Sequence, residues 1–152
     1  MQFSLRTLLL ATTVAVVALG YCAERAHRQH AAAMAIERLH GSLRYNDAWN
    51  RSPVRQLISG WLGKDMMASV VAVYLGGTAA RDADLACLEE LPGLRELVLT
   101  SSAVSDAGLE QLRELRQLES LDVRFTAVSE AGVEKLRRAL PRTKILSKSD
   151  ID

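Results

Sequence analysis

Aromatic residues are scarce in this 152-residue chain, with two Trp, three Tyr and two Phe. A groove that binds single-stranded nucleic acid stacks successive bases on such rings, so that class is excluded. An excess of one charge is missing too: 19 Lys and Arg stand against 18 Asp and Glu. Binding a phosphate backbone through released counterions needs a basic surplus, so no nucleic-acid partner is expected. Cysteine occurs twice, as Cys22 and Cys87, in no CxxC pairing, which removes zinc ribbons and redox dithiols. The three histidines, His27, His30 and His40, crowd one stretch with no thiolate or carboxylate set at ligand spacing. They read as solvated helix residues rather than metal ligands. No nucleophile elbow, phosphate loop or HExxH is present. The chain is expected to be no enzyme and to hold no cofactor or metal.

What is present is leucine and alanine, unevenly spread. Residues 7–23 carry no charge over 17 positions. As a helix they span about 26 Å against a hydrocarbon core of about 30 Å. The reading is a single-pass membrane anchor over 1–23, with Arg6 reaching the headgroups and Tyr21 at the opposite interface. The alternative is a secretory signal cleaved near Ala18-Leu19-Gly20, giving a secreted protein. A lipid-modified Cys22 and a buried helix are the remaining readings. Arginines on both flanks leave the orientation open.

Residues 24–69 read as a juxtamembrane helix and N-terminal cap. A helix over 24–40 has Ala32, Ile36 and Leu39 on one face and Gly41 as its stop. A strand over 42–46, a loop over 47–53 and a helix over 54–62 follow. Residues 24–64 carry a net charge of +4, which attracts anionic headgroups.

From residue 70 the chain repeats every 24 residues without a gap: VVAVYLGGTAARDADLACLEELPG (70–93), LRELVLTSSAVSDAGLEQLRELRQ (94–117) and LESLDVRFTAVSEAGVEKLRRALP (118–141). Val73, Leu97, Leu121 and Ile145 share a column; Leu75, Leu99 and Val123 share another two residues on, which is strand spacing. Leu85, Leu109 and Val133 precede Leu88, Leu112 and Leu136 by three, which is helix spacing. Between them, Thr78, Ser102 and Thr126 place a hydroxyl in a bend. Asp82, Asp106 and Glu130 open the helix, where a carboxylate meets unpaired amides, with Ser105 and Ser129 as N-caps. Cys87 aligns with Gln111 and Lys135, a solvent-facing helix position.

The pattern LxxLxLxxTxVSDAGLxxLxxL resembles the leucine-rich-repeat family, in the 24-residue variety whose turn reads TxVTDAGL. The whole chain, with its FSLRTLL start and apolar segment, is similar to small bacterial membrane-anchored proteins of that family. The first unit departs from the pattern, with Ala80 and Arg81 where Val104-Ser105 and Val128-Ser129 stand. The resemblance implies an α/β solenoid over 70–152, with parallel strands on a concave face and helices on the convex one. Tyr74, Val98, Asp122 and Arg124 would then line the concave face and bind a protein partner. The basic residues Lys135, Arg137, Arg138, Arg142, Lys144 and Lys148 would cap the last repeat, the alternative being a surface that meets an acidic partner or lipid headgroups. The expected function is a membrane-tethered protein-interaction module; the alternative is a structural scaffold that self-associates or stacks with other repeat proteins.

Overall fold

In the computed structural model the described residues are 5–46 and 69–150. The expected loop over 47–53 and helix over 54–62 lie outside them. A single helix, α1 (Leu5–Arg38), fills the first 34 described positions. It crosses residue 23 without a break, because alanine and leucine on either side favour helix strongly. Ala32, Ala33 and Ile36 are the buried part of its face. The stop differs from the expected one. Gly41 N–H reaches Ile36 O (3.1 Å), His40 N–H reaches Glu37 O (2.9 Å), and the left-handed residue is His40 at φ 59°. Glycine is needed at 41 for room: a Cβ there would lie 2.7 Å from Leu75 Cδ2 and 2.9 Å from Ile36 Cγ2.

Among the described residues no helix is long and apolar enough to cross a membrane. The single-pass anchor, and with it the membrane as a partner and location, is corrected on that finding. The uncharged run is shorter than a hydrocarbon core, and its helix continues into charged turns that pack on the rest of the chain.

The sheet runs β1 (Ser42–Tyr45), β2 (Val70–Tyr74), β3 (Glu96–Val98), β4 (Ser120–Asp122) and β5 (Lys144–Leu146), in chain order. β1 is antiparallel to β2, and every later pair is parallel. Register follows the sequence spacing: Val73 faces Leu97, Leu97 faces Leu121, and Leu121 faces Ile145. The crossovers differ in kind. The first is a 3-10 segment (Asp82–Glu90), the second is α2 (Asp106–Gln111) ending in a 3-10 turn (Leu112–Glu114), and the third is α3 (Glu130–Ala139). Arg81, standing where Ser105 and Ser129 stand, caps no amide with a hydroxyl, and the first crossover winds tighter.

The described residues thus form a small α/β domain with a five-stranded mixed sheet. This corrects the expected leucine-rich-repeat solenoid with its all-parallel sheet and uniform helical layer. A spacing of 24 dictates which residues pair between neighbouring strands. It does not dictate the direction of the strand that precedes them, nor the kind of helix that connects them.

The core lies between the sheet and the crossovers. Val73, Leu75, Leu85, Leu88, Leu97, Leu99, Leu112 and Leu121 are fully buried, and Leu109, Val123, Val133, Leu136 and Ile145 nearly so. Each such side chain is worth roughly 1.5–3 kcal/mol of burial.

Candidate functional site

Tyr74, Val98 and Asp122 end β2, β3 and β4 and are register neighbours, so the sheet brings them side by side. Arg124 follows two residues beyond Asp122. Tyr74, Val98 and Arg124 are half-buried, but Asp122 is only 8% exposed. Arg124 grips it: Nε donates to Oδ1 at 3.0 Å, Nη2 to Oδ2 at 2.7 Å, and the Arg124 amide to Oδ1 at 3.1 Å. Burial pushes the Asp122 carboxyl up, while the hydrogen bonds from Arg124 and from the Thr100 hydroxyl outweigh it and leave the group below the ordinary carboxylate range. The same contacts raise the Arg124 guanidinium. A bidentate pair of this kind fixes the guanidinium over the carboxylate and neutralises the charge of both.

The neighbouring column is closed as well. Ala72 is fully buried although it shares the outer face with Glu96 in register. Arg44 pairs across β1–β2 with Ala72, and Ala72 across β2–β3 with Glu96. The Arg44 Nη2 to Glu96 Oε2 contact of 2.6 Å therefore bridges over Ala72, across two strand spacings of about 4.8 Å.

Two repeated devices at the strand exits escaped the sequence reading. Gly77, Ser101 and Phe125, each 24 residues apart, all hold positive φ (68°, 58° and 56°). The bend hydroxyls next to them donate as expected: Thr78 Oγ1 to Leu75 O, Ser102 Oγ to Leu99 O and Thr126 Oγ1 to Val123 O, at 2.7, 2.6 and 2.6 Å. Glycine suits such a backbone; Phe125, an aromatic and 65% exposed, does not. The signal was available, since Gly77 and Phe125 share a column.

The second device is a ladder of carboxylates. Asp82 accepts from Ser105 N (2.7 Å) and Ser105 Oγ (2.6 Å); Asp106 accepts from Ser129 N (2.7 Å) and Ser129 Oγ (2.6 Å). Each serine in turn caps its own helix, Ser105 Oγ accepting from Ala107 N and Ser129 Oγ from Gly132 N. A hydroxyl has one proton to give; committing it to the carboxylate turns the lone pairs toward the helix amides. So the acid at the head of one crossover serves the N-cap of the next, rather than its own helix. Hydrogen bonds from the serine side chain and then its amide hold both carboxyls below the ordinary range. Gly108 and Gly132 are where the carboxylate enters: a Cβ at Gly108 would lie 2.5 Å from Asp82 Oδ1, and one at Gly132 would collide with Asp106.

Chemistry-bearing groups elsewhere are sparse. Cys87, expected to face solvent, is half-buried against the core and donates to Asp84 O at 3.0 Å; burial pushes its thiol up. No group of three or more His, Cys, Asp or Glu among the described residues is placed to hold a metal. A cleft of about 280 Å³ lies where α1 meets the first crossover, lined by Tyr21, Glu24, Arg28, Glu89, Glu90 and Pro92.

No protein-family model matches the chain, and no curated protein matches it. The resemblance to leucine-rich-repeat proteins therefore has no support from family comparison. With a mixed sheet, a self-paired Asp122–Arg124 and no membrane-crossing helix among the described residues, the expected membrane-tethered module binding through a concave face is corrected too.

Proposed function

We propose that this chain is a non-catalytic structural scaffold that associates with copies of itself through α1. The observation behind the reading is a set of uncovered valines in the first half of that helix. Val14, Val16 and Val17 are 67%, 68% and 71% exposed. Val14 and Val17 continue the stripe that reaches the buried Ala32 and Ile36, while Val16 lies on the opposite side. A helix apolar on all sides is a helix that is buried. Within the described residues nothing covers these valines, so other helices of the same kind are their natural cover. Burying Val14 and Val17 on each of two helices yields roughly 6 kcal/mol gross. Association costs about 4–15 kcal/mol, so a pair is weak and a bundle of several helices is tighter.

Sedimentation of the full chain across micromolar concentrations tests this. Oligomers are expected, and the Val14→Lys, Val17→Lys double variant should sediment as a monomer. A wild-type chain that stays monomeric, including one that partitions into lipid vesicles as a monomer, overturns the proposal.

A further inference from the structure

Charge is separated along the sheet. Lys135, Arg137, Arg138, Arg142, Lys144 and Lys148 fall within 14 residues that hold no acid, whereas residues 82–90 hold four acids and no base. Around α3 and β5 the basic residues are largely unspent. Arg137 meets Asp150 at 3.6 Å and Arg138 meets Glu134 at 3.5 Å, but Lys135, Arg142, Lys144 and Lys148 are exposed and have no ion-pair partner among the described residues. The α1 cleft has the opposite balance. Arg28 is shared between Glu24 (2.7 Å) and Glu90 (3.9 Å), Glu89 is exposed with no counter-ion among the described residues, and the Tyr21 ring stands 68% exposed at the rim.

The two surfaces cannot meet within one molecule. β2 and β5 are three strand spacings apart, about 14 Å, with α2 between the cleft and the basic end. We infer a head-to-tail contact in which the basic end of one copy, led by Arg138 and Arg142, docks on the Tyr21–Glu89–Glu90 cleft of the next. Three features fit that occupant. The charges are opposite, the cleft offers an aromatic face for a guanidinium, and the basic side chains are long enough to enter it. Because the two surfaces are different, the contact is heterologous: it propagates into a chain of molecules unless the rotation closes a ring. It is independent of the α1 association, which is apolar.

Salt separates the two contacts. Exposed charge pairs weaken as the screening length shrinks, whereas valine burial does not. For the full chain, the association constant attributed to the end contact should fall about tenfold between about 0.05 and 0.5 M salt. The Arg138→Glu, Arg142→Glu variant and the Glu89→Lys, Glu90→Lys variant should each lose the salt-sensitive part of the mass distribution. Mixing the two variants should restore it, which also shows that both fold. A mass distribution indifferent to salt, reversals without effect, or a mixture that fails to recover would each overturn the contact while leaving the α1 proposal standing.

Discussion

Replacing Gly132 by alanine should destabilise the protein, yet the same change should stabilise it once Asp106 has become alanine. The reasoning starts from the ladder. Asp106 accepts two short hydrogen bonds from Ser129, at 2.7 and 2.6 Å, and a Cβ at Gly132 would occupy the space of that carboxylate. Hydrogen bonds to a charged acceptor are worth about 1.5–3 kcal/mol each when sheltered. Ser129 is exposed and water can replace part of them, so the pair together contributes about 2 kcal/mol. Asp106→Ala should cost about that. Gly132→Ala expels the carboxylate and forfeits the same bonds, but gains about 1 kcal/mol of helix propensity in α3, a net loss of about 1 kcal/mol. In the double variant the bonds are lost once and the propensity gain is kept, so the total loss is again about 1 kcal/mol. The cycle therefore has a coupling of about 2 kcal/mol, and the sign of Gly132→Ala reverses with the background. Urea unfolding at neutral pH, followed by far-UV circular dichroism, measures all four forms. If Gly132→Ala has the same sign and size in both backgrounds, the carboxylate does not need that space and the ladder is misread.

The same carboxylates set a pH dependence. Their folded values lie below the unfolded value of about 3.9, so their contribution is complete above that pH and is lost as pH falls through the folded values. The urea midpoint should therefore hold between pH 7 and 5 and drop below pH 4, less steeply in Asp82→Asn, Asp106→Asn; an equal drop in that variant would assign the loss to other groups. At the third turn, Phe125→Gly should raise stability by about 0.5–1 kcal/mol, since glycine takes φ 56° without the penalty of a side chain. Thermal unfolding would show this as a rise of about 1–4 °C, and a fall would mean that the exposed ring has a packing partner that outweighs the strain.

Columns of apolar residues were legible because burial acts on them directly. Val73, Leu97, Leu121 and Ile145 had to lie on one face whatever joined them, and their pairing follows the spacing. The direction of β1 was not legible, since alternation in Leu43 and Tyr45 reads the same in either orientation. Nor was the first crossover, where Leu85 and Leu88 stand three apart as in any helix, and only the loss of a cap serine at Arg81 marks the tighter winding. Strand alternation put Asp122 on the outer face beside Tyr74 and Val98, but it does not reveal that the side chain is covered there. Arg124, two residues on and on the same face, is what allows it to be buried. The ladder was half visible: the Asp and Ser columns were noticed, but each acid was assigned to its own helix. The glycines at 108 and 132 pointed to the neighbour, and Asp84 in the same column is consistent, since no described carboxylate enters there.

The two ends of the sheet explain why association should have a direction. At one end β1 runs antiparallel along β2, and the buried turns of α1 pack on the first crossover. At the other, β5 has three residues, and Arg137 Nη2 lies 3.5 Å from Ile145 O on α3's side of it. A strand edge left open invites pairing with any other strand, and lysine at Lys144 and Lys148 beside so short a strand opposes that by repulsion. Charge placed there for protection has a second consequence. It repels another β5 while attracting a surface of opposite sign, and the α1 cleft is where this chain holds one. Lys144 and Lys148 protect the edge while Arg138 and Arg142, in the same basic end, make the directional contact, so reversing Arg138 and Arg142 should abolish the contact without loosening the core they stand on.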